Sequence, residues 1–539
     1  MATQDSGRKP PRLEAQDAWT RPQSVAEREG KLLDPNTAAA SPDPDANPTS
    51  YLATRLLIST LIDTAAALKL LQDAAETFHW EVEEDPSFPR VQITSEDDER
   101  ESRLRRYPWA TGDVGLMRVL ITPRDDARAR PPDAWSLLQT ARAMARTDKK
   151  TNTDLLFGIG LDHVLTLYPH TRSNPHTRSN PHTRSNPHTR SNPHTRSNGA
   201  LLDAYADPGT GGRQPVSFVG RPPHRGKVLG ERRPHIGMID TGCGTHPWLT
   251  PDFVHDGTDL GPATPIGLKD PATAPEVVGD VGGPLDGMLD EASGHGTFIA
   301  GLLHQGCPEA DLWWWRVAES DGTMAESDLM TAVARIAVLV RTDAITLDVL
   351  NLSFGYYHET PLDQKFDPTF YEMLAAIGRT GTIVVCSAGN DATTRPMFPA
   401  AWTPHDDVGQ IISLDPGAAP IVSVGALNTN GVTDALFTNA GRWVRVYRRG
   451  TALLSTFPAF QTGLEPTARL VTADGRLRES FDPDDYRSGF AIWSGSSFAA
   501  PVFAAELAEA LAPGLTTGDD RKARVGLAQK VVSDLLASG

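Results

Sequence analysis

Apolar side chains between residues 51 and 78 recur at spacings of three, four and seven. Leu57, Leu61, Leu68, Leu71, Ala75 and Phe78 share one face, which predicts a helix over 51–78. Short apolar runs at 90–94 and 116–121 read as strands, a second helix is expected over 133–146 after Pro131-Pro132, and a further strand over 154–168. Together these elements describe a small α+β domain over 51–168, in which no constellation of catalytic residue types occurs. Ahead of it, residues 1–50 are polar and broken by Pro10, Pro11, Pro22, Pro35, Pro42, Pro44 and Pro48, so a disordered tail is expected.

The pattern changes beyond about residue 210. Short apolar runs at 235–240, 312–317, 344–353 and 381–387 read as strands. Helical segments follow from Gly294, at 327–340, at 370–380 and at 502–511. Strands alternating with helices imply an α/β fold, a doubly wound and mostly parallel sheet with helices on both faces. Function in such sheets gathers at the carboxyl ends of the strands, where Asp240, Ser353 and Asn390 fall. The tryptophans at 313–315 lie on a predicted strand and are read as packing side chains, not as a base-stacking surface.

Between these regions, residues 169–198 are five perfect copies of Pro-His-Thr-Arg-Ser-Asn. So polar a repeat buries no core and is expected to be a solvated linker, with a reach on the order of 100 Å if extended and about 30 Å as a coil. Its histidines lie six apart, which matches neither helical nor zinc-finger ligand spacing. The division expected is therefore a tail over 1–50, a small domain over 51–168, a linker over 169–198 and a larger domain over 199–539.

Composition narrows the classes. Fifty-one basic against sixty-eight acidic residues give a net charge of −17, which excludes the basic footprint of a nucleic-acid binder. The three cysteines make no disulfide framework, the first residues lack the apolar core of a signal peptide, and no window approaches a membrane span. A cytoplasmic protein is expected.

The candidate chemistry centres on Gly495-Ser-Ser-Phe-Ala-Ala-Pro501, a small-residue turn opening a helix. By itself it reads as an ordinary helix cap. Read with Asp240-Thr-Gly, Gly294-His-Gly-Thr, Asn351-Leu-Ser-Phe-Gly and Ser387-Ala-Gly-Asn, it resembles the signature blocks of the subtilisin-like serine peptidases, in that family's order and over roughly residues 232–515. The resemblance implies an Asp240–His295–Ser497 triad, with His295 as base, Asp240 fixing the imidazole tautomer, and the Asn390 amide as an oxyanion donor. It also implies that Ser353, Phe354, Gly355, Ser387, Ala388 and Gly389 line the peptide-binding cleft. Met397 aligns with the residue that floors its first pocket, making that pocket shallow.

The implied activity is a serine endopeptidase acting on proteins or peptides through a covalent acyl-enzyme that requires no cofactor. The alternatives are a peptide ligase or macrocyclase using the same acyl-enzyme, or a catalytically silent binding module. The acidic stretch between Asp240 and His295 is the natural place for a structural calcium, but its carboxylates lack a ligand spacing, so a solvated loop is expected there. Cys243 is expected to be a small buried thiol. The domain over 51–168 has the position and size of the family's inhibitory pro-region, and a partner-recognition module is the alternative. No nucleic acid or membrane partner is expected.

Overall fold

The computed structural model describes residues 30–33, 46–125, 130–147, 152–167, 212–261, 265–282, 285, 287–360, 368–403, 417–461, 466, 468–482, 484–518 and 520–538. The repeat over 169–198 lies outside the described residues, as do 1–29 and 34–45 of the expected tail.

The first half comprises β1 (Lys31–Leu33), β2 (Thr49–Ser59), α1 (Thr64–Ala75), β3 (Trp80–Glu84), β4 (Gln92–Ile93), α2 (Asp97–Arg106), β5 (Val114–Pro123), α3 (Ala134–Thr147) and β6 (Ile159–Thr166). Its antiparallel sheet runs β6-β2-β5-β3, with β1 paired to β2 and β4 to β5. The expected tail thus differs at Lys31–Leu33, a strand whose partners are Thr49 to Tyr51.

The helix expected over 51–78 is instead strand β2, a turn, and helix α1. Leu56 and Ile58 pack in the core under α1 and α3, while Leu57 and Leu61 pack in another core with Leu329 and Phe370 of the second half. A strand covered on both faces reads as an unbroken apolar run, and apolar spacing does not separate that from a buried helix. The local punctuation is Asp63, whose carboxylate accepts from the amides of Ala65 and Ala66 at 3.1 Å each and so starts α1.

The second half follows the expected alternation through β7 (Gln214–Pro215), β8 (His235–Asp240), β9 (Val254–Asp256), α4 (His295–Gly306), β10 (Asp311–Arg316), β11 (Thr323–Ala325), α5 (Glu326–Arg341), β12 (Val349–Leu352), α6 (Thr369–Gly378) and β13 (Ile383–Ser387). It closes with β14 (Ile421–Leu427), β15 (Val446–Arg449), β16 (Leu453–Thr456), the hairpin β17–β18 (Arg469–Val471 and Leu477–Glu479), β19 (Phe490–Trp493), α7 (Ser496–Leu511) and α8 (Arg521–Ser538). The main sheet, β15-β14-β13-β12-β8-β10-β9, is parallel throughout. One core holds residues of α5 and α6, such as Val333, Ile336 and Met373; another holds residues of α4 and α7, such as Ile299, Leu303 and Phe503. The fold is α/β with an additional α+β layer.

The two halves share a sheet. Strand β11 adds antiparallel to β6, pairing Ala325 with Val164, Met324 with Leu165 and Thr323 with Thr166. The carboxyl end of β6 is thereby carried to the carboxyl ends of β12 and β13.

Candidate active site

Asp240 ends β8 and is fully buried, its Oδ1 accepting from the Thr241 amide at 2.8 Å. The same oxygen lies 2.7 Å from His295 Nδ1, so the carboxylate holds the proton on Nδ1 and leaves Nε2 as the basic nitrogen. His295 is the first residue of α4, and the turn before it needs Gly294 at φ 86°, where an added Cβ would lie 2.2 Å from the Phe457 ring. The imidazole packs against Phe498 at 5.2 Å and Trp493 at 5.8 Å between ring centroids. Arg213 supports the preceding loop by donating to the carbonyls of Leu289, Asp290, Glu291 and Ser293.

The two serines of α7 are separated by their partners. Ser496 Oγ accepts from the Gly389 amide at 3.0 Å and the Ser496 amide donates to Asn390 Oδ1 at 2.8 Å, so Ser496 is spent on the loop after β13. Ser497 directs its hydroxyl into the cleft, where it donates to the carbonyls of Leu167 at 3.1 Å and Ser353 at 3.2 Å. Pro501 lies inside α7 and has no N–H, so the Ser497 carbonyl lacks its ordinary helical donor. The Ser353 hydroxyl supplies one at 2.9 Å, itself accepting from Asn351 Nδ2 at 3.0 Å. The Pro of the Gly-Ser-Ser-Phe-Ala-Ala-Pro turn and the Asn and Ser of the Asn-Leu-Ser-Phe-Gly turn therefore form one joint. With Asn390 Oδ1 fixed, its Nδ2 lies on the side of Gly495, 3.6 Å from the position of a Cβ there.

The six residues expected to line the cleft divide. Gly355 exchanges two backbone hydrogen bonds of 3.2 Å with Thr166, while Leu167 donates to the Gly322 carbonyl at 2.9 Å. The end of β6 thus lies between Gly355 and Gly322, and the carbonyl of Leu167, the residue that follows it, accepts from the Ser497 hydroxyl. Phe354 is buried in the core and Ser353 braces α7. Ser387 ends β13, the Ala388 amide donates to Val424, and the Ala388 carbonyl accepts from Asn439 Nδ2 at 2.8 Å. Gly389 and Gly355 both face Met397. A Cβ on Gly355 would lie 2.5 Å from Met397 Cε, and one on Gly389 2.6 Å from its Sδ. The fully buried Met397 side chain therefore fills the space between the two strand ends.

Sequence reading missed Asn439, Glu276 and Leu167. Asn439 ties the loop after β13 together, accepting from the amides of Asp391 at 3.0 Å and Thr393 at 3.2 Å. An isolated Asn in a loop gives no sequence signal. The acidic stretch between Asp240 and His295 is exposed at Asp259, but Glu276 departs from the expected solvated loop. It is only 4% exposed and accepts from Thr241, Thr297 and Gly296, which lie beside Asp240 and His295. Burial raises its carboxyl, opposed by the bonds from Thr241 and Thr297 and reinforced by Asp240, to about 7. Cys243 is a free thiol whose burial pushes its pKa well up, away from a reactive thiolate.

Among the described residues, His163, His358 and Glu359 have the types and proximity to hold a cation. Both ring nitrogens of His163 already face carboxylates, Glu326 at Nδ1 and Glu359 at Nε2 (2.8 Å), and Arg142 lies 3.8 Å from Glu359. Charge in this cluster balances within the protein itself. Among the described residues no helix is long and apolar enough to cross a membrane.

Three comparisons bear on these features. The family model described as the peptidase S8, or subtilase, family matches residues 231–525. The chain is 29% identical over 304 residues to the subtilisin-like protease het-Q2 of Podospora anserina, a match covering 51% of this chain and 69% of that protein. Among solved structures it is similar to a cold-adapted subtilisin-like serine proteinase, with 18% identity, TM-score 0.34, 59% of this chain and 87% of that one. It is also similar to fervidolysin of Fervidobacterium pennivorans, with 15% identity, TM-score 0.40, 86% of this chain and 55% of that one.

Proposed function

The chain belongs to the subtilase family, and from that premise we propose that it is a serine endopeptidase held inactive by its own first half. The carrying observation is that Ser497, in a site with a joined Asp240–His295 pair, donates its hydroxyl to a carbonyl of an extended strand lying across the cleft.

In the proposed reaction a substrate takes the place of the end of β6, pairing with the backbone of Gly355 and the carbonyl of Gly322. Such backbone pairing gives affinity with little sequence demand. His295 Nε2 removes the Ser497 proton as Oγ attacks the carbonyl carbon, and Asp240 stabilises the imidazolium that forms. The oxyanion is met by Asn390 Nδ2 and the Ser497 amide. Collapse passes the proton from His295 to the leaving amine, and water then resolves the acyl-enzyme with His295 again as base. Met397 favours small side chains before the scissile bond.

Inhibition by the first half rests on polar contacts that continue from the strand. Asp162 caps α5, accepting from the Ser327 amide at 3.0 Å and its hydroxyl at 2.8 Å. His163 sits between Glu326 and Glu359, Arg118 reaches Asp328 at 3.1 Å, and Arg106 reaches Glu372 at 3.1 Å. The protein is expected to cut itself between residues 169 and 235, releasing this layer. Intact-mass measurement should find that cut in wild-type protein and none in Ser497→Ala; equal cutting in both would refute the proposal.

A further inference from the structure

We infer that Glu276 is a positioning residue for the triad, one buried carboxylate that ties the turn carrying Asp240 to the helix start carrying His295. The inference rests on the peptidase reading and adds to it a residue outside the signature motifs.

The seam between the two carriers is tight. A Cβ on Gly296 would lie 2.0 Å from the Gly242 carbonyl, so the backbone after Asp240 and the backbone after His295 are in contact. Glu276 spans that seam. Its Oε1 accepts from the Thr241 hydroxyl and from the Gly296 amide at 3.1 Å, and its Oε2 from the Thr297 hydroxyl and from the Thr297 amide at 3.3 Å. Thr241 Oγ1 also accepts from the Gly296 amide at 2.9 Å and lies 3.1 Å from Asp240 Oδ1, while Thr297 Oγ1 accepts from the Gly244 amide at 2.7 Å. Each threonine hydroxyl has a single proton, so a carboxylate, which only accepts, is the group that orients both toward one point.

Those bonds act on two atoms adjacent in sequence to the catalytic ones. Relaxing them lets the Asp240 carboxylate and the His295 ring drift apart, and small displacements of reacting groups cost rate steeply. Above about pH 7, where its raised carboxyl is ionised, Glu276 also places a negative charge close to the Asp240–His295 pair, favouring the imidazolium. The titratable groups near it are Asp240 of β8, the Cys243 thiol of the following turn, and His295 of α4 through Gly296. Arg316 of β10 directs its guanidinium to the carbonyls of Asp270 and Thr273 and to Glu319.

The test compares the full-length chain with its Glu276→Gln and Glu276→Asp variants, all three carrying His163→Leu to loosen the first half from the cleft, and reads the rate of fluorophosphonate labelling of Ser497 across pH. Gln preserves size but lacks charge and offers one acceptor oxygen in place of two. Its maximal labelling rate should fall about 10- to 100-fold. Its acid limb should lose the rise near 7 that the ionising Glu276 carboxyl supplies. Asp keeps the charge with a shorter reach, so its rate should fall while the limb stays as it is with Glu276 intact. If the chain with Glu276 intact labels and Glu276→Gln labels at the same rate with the same limb, the positioning role is refuted while the peptidase reading stands. If Glu276→Gln fails to fold, an Asp variant with the rate of the intact Glu276 chain refutes the role. A folded His163→Leu chain with Glu276 intact that takes no label at any pH overturns the peptidase reading, and this inference with it.

Discussion

Replacing His163 with Leu probes the hold of the first half on the cleft. The imidazole is 2% exposed and lies between Glu326 at Nδ1 and Glu359 at Nε2, both carboxylates of the second half. Burial alone would lower its pKa, but Glu326 and then Glu359 raise it to about 10, so it is an imidazolium at neutral pH. Leu removes the cation and leaves two buried carboxylates facing it. Breaking one side of a buried ion pair costs about 3–5 kcal/mol. At about 1.4 kcal/mol per tenfold, the detached population should rise by roughly 10² to several times 10³. Hydrogen exchange in a Ser497→Ala background reads this directly at the amides of Thr166 and Leu167, which bond the carbonyls of Gly355 and Gly322. Both should exchange faster by that factor at pH 7. The raised folded value means the His163 contribution is complete below about 6.5 and fades as pH climbs through about 10, so the difference between parent and variant should shrink at the alkaline end. Equal exchange at pH 7 would refute the reasoning.

Two further outcomes concern the cleft itself. Asn390→Ala should lower kcat about 10²- to 10³-fold with KM nearly unchanged, the cost of removing the corresponding donor in subtilisin; a raised KM with kcat unchanged would place Asn390 in ground-state binding. Met397→Gly should open the space between Gly355 and Gly389 and raise kcat/KM for Phe-ending peptides about 10- to 100-fold relative to Ala-ending ones. A wild type that already prefers Phe-ending peptides contradicts the filled pocket.

What the chain disclosed in advance follows from where its chemistry is local. Asp240, His295, Asn390 and Ser497 sit in short turns whose geometry demands particular neighbours. Gly294 must take a positive φ, Ser496 must bond the Gly389 amide, and Pro501 must leave the Ser497 carbonyl to Ser353. Those demands leave motifs. Strand β2 was read as helix because Leu56 and Ile58 face one core and Leu57 another, a tertiary fact that spacing cannot encode. Glu276 and Leu167 were missed for a related reason. Glu276 is one carboxylate among many in an acidic stretch, singled out only when that stretch folds against α4. Leu167 acquires its role only when β6 pairs with β11 and lies beside Gly355.

The central claim is that Ser497 is an activated nucleophile. Fluorophosphonate labelling of protein from which the first half has been released, followed by mass spectrometry of the peptide spanning Gly495 to Pro501, tests it most directly. The label should be found on Ser497 and be abolished in Ser497→Ala. Absence of label on well-folded protein, or its persistence on Ser496 in the Ser497→Ala variant, would contradict the claim.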